Sequence, residues 1–201
     1  KIYGNNISNV NQGIVVVGPT AAADAMTGID IGGNSGATAN TITNFGTTGT
    51  FSGYANVSGT VNGILVRNAN GFNISYNSVT SSSGGVTVGT LNGIQVPAAS
   101  ATPTTTFTNT IGNNTLALTT GFSGAINGIN YPSGSASTTS VLNVNNNNFT
   151  AATASVASSG AINLITIGST NLTTTINGNT FTNITSNTTG SFTFITNSIT
   201  I

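Results

Sequence analysis

Cysteine, histidine and tryptophan are absent, and among 201 residues only two are basic and two acidic. Lys1, Arg67, Asp24 and Asp30 are the whole charged set, with no Glu. Each absence closes a class of chemistry. Without Cys there is no disulfide and no thiolate, and without His no imidazole base or metal ligand. Zero net charge and two cations exclude the clustered Lys and Arg that nucleic acid requires and the basic patch that an anionic membrane surface attracts. Membrane insertion is not expected, because no apolar run nears the ~20 residues of a spanning helix. The longest candidate, Ile14 to Val17, is strand-sized. No leader is visible, and the chain starts inside a repeat and stops just after a β-rich run from Phe192 to Ile201. It is therefore expected to be a piece of a longer chain.

What is present is repetition. One phrase occurs six times: an aliphatic residue, two spacers, Asn, one spacer, an apolar residue, then usually Thr or Ser. The copies centre on Asn5, Asn40, Asn77, Asn114, Asn147 and Asn179, at spacings of 35, 37, 37, 33 and 32 residues. A fixed period of this size marks a solenoid or array. A second phrase, Gly-aliphatic-any-aliphatic and usually preceded by Asn or Thr, alternates with the first. It appears at Gly28-Ile29-Asp30-Ile31, Gly63-Ile64-Leu65-Val66, Gly93-Ile94-Gln95-Val96 and Gly128-Ile129-Asn130-Tyr131. A fifth copy has Leu164 in the Gly position before Ile165-Thr166-Ile167.

Both phrases have strand periodicity. The outward column of the second is expected to be Asp30, Leu65, Gln95, Asn130 and Thr166. Helix formers are scarce and β-branched residues dominate; a helical turn is expected only near Ala21-Ala22-Ala23. The Asn of the first phrase is read as a corner residue, because Asn tolerates the left-handed region better than other non-Gly residues. Stacked coils would align these amides as a ladder. Each buried aliphatic side chain contributes about 1.5–3 kcal/mol, whereas ordering costs about 1–2 kcal/mol per backbone residue. A coil with few inward apolar residues cannot stand alone, so coils must cooperate. The returns absorb the varying period: residues 46–60, 81–90, 97–106, 132–140 and 151–160, with extra strand-like runs such as Val86-Thr87-Val88.

The segments KIYGNNISNV, GFNISYNSVTS, NTIGNNTLAL, LNVNNNNFTA and TINGNTFTNITS, interleaved with TGIDI, NGILV and NGIQV, resemble coils of right-handed parallel β-helix (pectate-lyase-like) repeat proteins. They are especially similar to the Thr/Asn/Gly-rich secreted surface repeat proteins of Bacteroidetes-type bacteria. The resemblance covers nearly the whole chain and is specific for fold, not for activity. It implies extended loops or an extra face, since coils of this length exceed the shortest in that family. The copy at Ala37 departs from the motif at its aliphatic position.

The expected fold is thus all-β, a right-handed parallel β-helix solenoid of about six coils of roughly 35 residues, with residues 1–201 forming one array. Catalysis is not expected. Glycoside hydrolysis generally needs two carboxylates at a set separation, and Asp24 and Asp30 suit a solvated surface better. Two carboxylates also make a poor Ca²⁺ site, and no base is present to activate Ser or Thr. No cofactor and no metal are expected. Arg67 reads as a surface group, Tyr131 and Tyr76 as packing residues, and Tyr54 as the best sugar-contact candidate. Asn-x-Ser/Thr triplets, such as those at Asn56, Asn73 and Asn171, are expected by chance in this composition. The alternating Thr104, Thr106 and Thr108, and Thr173 and Thr175, hint at an ice-binding face but do not recur at one phase in every coil. The leading expectation is a structural segment of an extracellular bacterial surface stalk, filament or adhesin. Its partners would be neighbouring coils of the longer chain, other surface proteins or glycans. The alternatives are a carbohydrate-binding or carbohydrate-cleaving β-helix and, behind it, an ice-binding one.

Overall fold

Short β-branched runs separated by Gly and Asn corners favour brief strands over helices, and the computed structural model is built of such strands. It describes residues 1–19, 26–46, 60–81, 89–97, 106–120, 124–132, 137–168 and 171–198. Sheet I stacks β1 (Asn6–Ser8), β5 (Thr41–Phe45), β9 (Ser78–Ser81), β12 (Thr115–Thr120), β15 (Asn148–Ser158) and β18 (Thr180–Phe181), with β19 (Ile184–Thr188) also on β15. Sheet II stacks β2 (Ile14–Val17), β6 (Val61–Arg67), β10 (Leu91–Gln95), β13 (Ile126–Tyr131), β16 (Ile162–Ile167) and β20 (Phe192–Asn197). Sheet III stacks β4 (Asp30–Ile31), β8 (Asn73–Ser75), β11 (Thr108–Gly112), β14 (Ser137–Asn145) and β17 (Asn171–Asn177). A small pair joins β3 (Met26–Thr27) to β7 (Ala69–Asn70).

Every pairing is parallel, and hydrogen-bonded neighbours come from successive coils. The chain is a parallel β-solenoid. Four turns, from β8 to β20, pass through all three sheets in close succession, whereas the first two coils are irregular. Coil one reaches sheet III only through a bridge from Ile2 to Ile31. The expectation of about six coils therefore holds for strands in sheets I and II and overstates the number of regular turns.

Parallel in-register pairing places like residues above one another, so the core consists of columns. Sheet I contributes Ile7, Ile42, Val79, Leu116, Phe149 and Phe181. Sheet III contributes Ile2, Ile31, Ile74, Ile111, Val144 and Ile176. Sheet II contributes Ile14, Ile64, Ile94, Ile129, Ile165 and Ile195. Members away from the two ends are fully buried.

The sheet III column corrects two sequence expectations. Ile31, not Ala37, is the aliphatic member of the second coil, because Ile31 pairs with Ile74. Residues 32–39, including a 3-10 turn over Gly36–Thr38, are a detour inserted before Asn40. The phrase at Gly28 accordingly belongs to sheet III, not with the Gly63, Gly93 and Gly128 copies. Its place in sheet II is taken by Gly13-Ile14-Val15-Val16, in register with Ile64-Leu65-Val66. The outward column is Val15, Leu65, Gln95, Asn130, Thr166 and Thr196, without Asp30. The Ala21–Ala23 stretch and Val86–Val88 lie outside the described residues.

The glycines of sheet II are required by close approach. A Cβ on Gly93 would lie 2.5 Å from Leu116 Cδ2 and 2.7 Å from the Gly128 carbonyl oxygen. On Gly128 it would lie 2.3 Å from Phe149 Cε1. The sheet I column thus fills the space these residues vacate. Substituting Gly93→Ala is expected to lower stability by about 1–3 kcal/mol through overpacking, checked by the urea midpoint of the variant against the parent.

Candidate functional site: two amide ladders and a polar outer face

The six phrase asparagines form one column just before sheet I. Asn40, Asn77, Asn114 and Asn147 are buried to 1% exposure or less, so their amides must find partners inside the protein. Each Nδ2 donates to Oδ1 of the asparagine one coil on: Asn5 to Asn40 at 2.9 Å, Asn40 to Asn77 at 2.9 Å and Asn77 to Asn114 at 3.0 Å. Asn114 to Asn147 and Asn147 to Asn179 follow, each at 3.0 Å. The second Nδ2 hydrogen reaches back to an aliphatic residue's carbonyl, as from Asn114 to Ile74 at 2.9 Å and from Asn147 to Ile111 at 3.0 Å. In four rungs the backbone N–H of the same asparagine also donates to the next Oδ1. Every buried amide is therefore tied to the coil before it and the coil after it.

The reason expected for asparagine here needs correction. The ladder residues are not the left-handed ones. The residue before five of the six takes that conformation: Gly4 at φ 64°, Tyr76 at 61°, Asn113 at 56°, Asn146 at 57° and Gly178 at 65°; Ala39, which ends the detour before Asn40, does not, at φ −56°. Asparagine is present at the ladder position for its amide. Tyr76 holds a backbone conformation that a bulky side chain rarely adopts.

A second ladder went unread in the sequence, although its signal was visible as the Asn preceding Gly63, Gly93 and Gly128. Asn92 Nδ2 donates to Asn62 Oδ1 at 2.9 Å, Asn127 to Asn92 at 2.9 Å and Asn163 to Asn127 at 3.1 Å. Gln12 Oε1 begins it, accepting from Asn62 Nδ2 at 3.0 Å. Its donors point toward the start of the chain, whereas those of the first ladder point toward its end.

The charged and aromatic candidates are dispersed. Asp30 lies in a sheet III column with Asn73, Thr110, Asn143 and Thr175. Its carboxylate accepts from the Tyr3 hydroxyl and, at 2.8 Å, from Asn73 Nδ2. Burial works against the charge of Asp30, but the bonds from Tyr3 and Asn73, attraction to Lys1 and the Gly33 backbone outweigh it and hold the carboxyl below its ordinary value. Donation to Asp30, then desolvation and the Asp30 charge, raise the Tyr3 phenol. Asp30 is thus a bound surface anion and not a freely solvated one. Tyr131 is buried and packs 6.4 Å from the Phe72 ring. Arg67 is exposed at the end of β6. Asp24, Tyr54 and Thr104 lie outside the described residues. Among the described residues, no three Asp or Glu side chains gather as a metal site.

The outer face of sheet I carries the regular polar ranks, in place of the Thr104–Thr108 and Thr173–Thr175 segments expected from the sequence. One residue after each ladder asparagine stands an outward rank: Asn6, Thr41, Ser78, Thr115, Asn148 and Thr180. It runs through all six strands of the sheet. A second rank, Ser8 and Thr43 followed by Thr80, Ala117 and Ala151, is interrupted by register shifts. A partial third holds Thr119, Thr153 and Thr185. By contrast, Thr108 and Thr173 flank Val141 in sheet III.

No protein-family model, curated protein or solved structure matches this chain.

Asn114→Ala would strand the Asn77 N–H and one Asn77 Nδ2 hydrogen and would remove the side-chain bonds to the Ile74 carbonyl and to Asn147 Oδ1, which keeps the backbone N–H of residue 114. It is expected to cost about 3 kcal/mol or more, while Asn5→Ala at the exposed end costs under about 1 kcal/mol; urea titration of both variants checks the contrast. Stability is expected to stay flat between about pH 4 and pH 8. Because the Asp30 value is depressed on folding, its contribution is present above the ordinary carboxylate range and declines as acid protonates the folded state. The Tyr3 contribution is present below about pH 10 and lost above it. Asp30→Asn should flatten the acid limb, as read from urea midpoints across the pH range.

Proposed function

We propose that this chain is a structural segment of an extracellular bacterial surface stalk, filament or adhesin, acting without catalysis. The observation that supports this reading most is the amide ladder, which runs from Asn5 to Asn179 and ties each coil to both its neighbours. A scaffold needs this, because load or solvent acting on one coil is shared along the column. The near-chargeless composition fits a part that must stay folded through shifts of pH and salt, since few protons are linked to folding. Its partners are neighbouring coils, other surface proteins and glycans. Antibodies raised against the chain should label intact cells of the source organism. Labelling that needs permeabilised cells, or turnover of a polysaccharide by the purified chain, overturns the reading.

Ice binding is a second reading, favoured by the complete outward rank of sheet I. Parallel strands set its members about 4.8 Å apart, and the next rank lies about 6.6 Å along the strand. Small hydroxyl and amide groups repeating at such distances, without charge, can order water in a lattice. If this reading is right, the chain produces thermal hysteresis and Ser78→Tyr, at the middle of the rank, abolishes it; no hysteresis removes the reading. Of the tyrosines, Tyr131 is buried, Tyr3 is bonded to Asp30 and Tyr76 lies beside the ladder, so the carbohydrate reading rests on Tyr54, which lies outside the described residues.

A further inference from the structure

We propose that Asn62, Asn92 and Asn127 are self-modifying sites that the fold holds inert, so that a lasting opening of sheet II is made permanent by loss of their side-chain amides. The proposal is independent of the filament reading. The two ladders differ in the residue that follows each asparagine. In the first it is Asn, Thr or Ser at every position. In the second it is Gly after Asn62, Asn92 and Asn127, and Leu after Asn163. Packing demands those glycines, because a Cβ on Gly63 would lie 2.4 Å from Val79 Cγ1, and Gly93 and Gly128 face Leu116 and Phe149 in the same way. Yet glycine, with no side chain, also leaves its peptide nitrogen least hindered. Asn70-Gly71 and Asn177-Gly178 carry the same dipeptide outside the ladder.

In a mobile Asn-Gly segment the glycine nitrogen, after giving up its proton, attacks the asparagine Cγ. The new C–N bond forms, ammonia leaves, and a succinimide ring results. Water then opens one of the two ring C–N bonds, leaving aspartate or isoaspartate. No oxidant or other reactant is needed. Closing the ring requires rotation about the Cα–C and Cα–Cβ bonds of the asparagine. The sheet prevents the first, since Asn62, Asn92 and Asn127 are paired in register within β6, β10 and β13. The ladder prevents the second. Asn92 Nδ2 donates to Asn62 Oδ1 at 2.9 Å and to Gln95 Oε1 at 3.2 Å, and Asn92 Oδ1 accepts from Asn127 at 2.9 Å. Asn92 is 0% and Asn62 5% exposed, so water is kept away as well. Once conversion has occurred, the way back is closed. A carboxylate at residue 92 has no hydrogen for Asn62 Oδ1 and would carry charge into a buried site. Isoaspartate also adds a carbon to the backbone, which disturbs the register of the strand that contains it.

The test incubates the chain in mildly alkaline buffer with and without guanidinium chloride and reads each asparagine by peptide mass spectrometry. In denaturant Asn62, Asn92 and Asn127 should become acids, while Asn163, which shares the ladder but precedes Leu164, keeps its amide. In the folded chain conversion at Asn92 should be slower by about a hundredfold or more, as for a reaction that waits on unfolding. A smaller suppression overturns the proposal, and so does conversion of Asn163 as fast as the other three. Refolding separates this chemistry from aggregation. Recovery of the native state should fall with time spent in alkaline denaturant, in step with the loss of amides. Equal time in mildly acidic denaturant, where the peptide nitrogen keeps its proton, should leave recovery intact. Equal losses under both conditions would show that deamidation is not what closes the way back.

Discussion

A buried amide must be hydrogen-bonded at both its donor and its acceptor, and each inner amide of the first ladder finds partners on the coil before it and the coil after it. The remaining structure follows from that constraint. An asparagine buried in a single coil would leave polar groups without water or partner, at a cost of about 1–3 kcal/mol for each. Stacking converts the same side chain into a tie. Asn77, for instance, meets Ile31 below and Asn114 above. The register that aligns the amides also aligns Ile31 with Ile74 and Ile111, and Ile64 with Ile94 and Ile129. Amide pairing and apolar packing therefore select one register, because a one-residue slip would misplace both.

The second ladder adds a constraint of opposite sense. Asn92 donates back to Asn62 while Asn77 donates forward to Asn114. One column stands just before sheet I and the other within sheet II. Between them the glycine column of sheet II receives the large side chains of sheet I. A polar frame and an interlocked apolar filling thus hold each other in place, without charge and without covalent crosslinks. Among the described residues, dependence on proton concentration enters where Asp30 and Tyr3 meet.

Much of the architecture was legible because column chemistry repeats along the chain. The period, the ladder positions and the core members Ile74, Ile111, Val144 and Ile176 can be read from the spacing. What was misread has particular causes. The detour over residues 32–39 separated Ile31 from Asn40 and let Ala37 stand in for it. Gly13 follows Gln12 in place of the usual Asn or Thr, so its phrase escaped notice while Gly28 imitated it. Asn113-Asn114 and Asn146-Asn147 are doublets, and the left-handed role was given to the second member when the first carries it. The outward rank lies in the short strand after the asparagine, away from the Thr-rich segments that stand out in the sequence. Function was far less legible, since the repeat speaks only of stacking.

The central claim is that the inner amides are ties within the folded core. The most direct measurement is hydrogen exchange at the asparagine side chains, followed by NMR. The account predicts that the Nδ2 protons of Asn40, Asn77, Asn114 and Asn147 exchange as slowly as the backbone amides of β10 and β13, by unfolding alone, while those of surface asparagines such as Asn34 exchange at solvent rates. Rapid exchange at Asn77 and Asn114 in an otherwise protected core would contradict it.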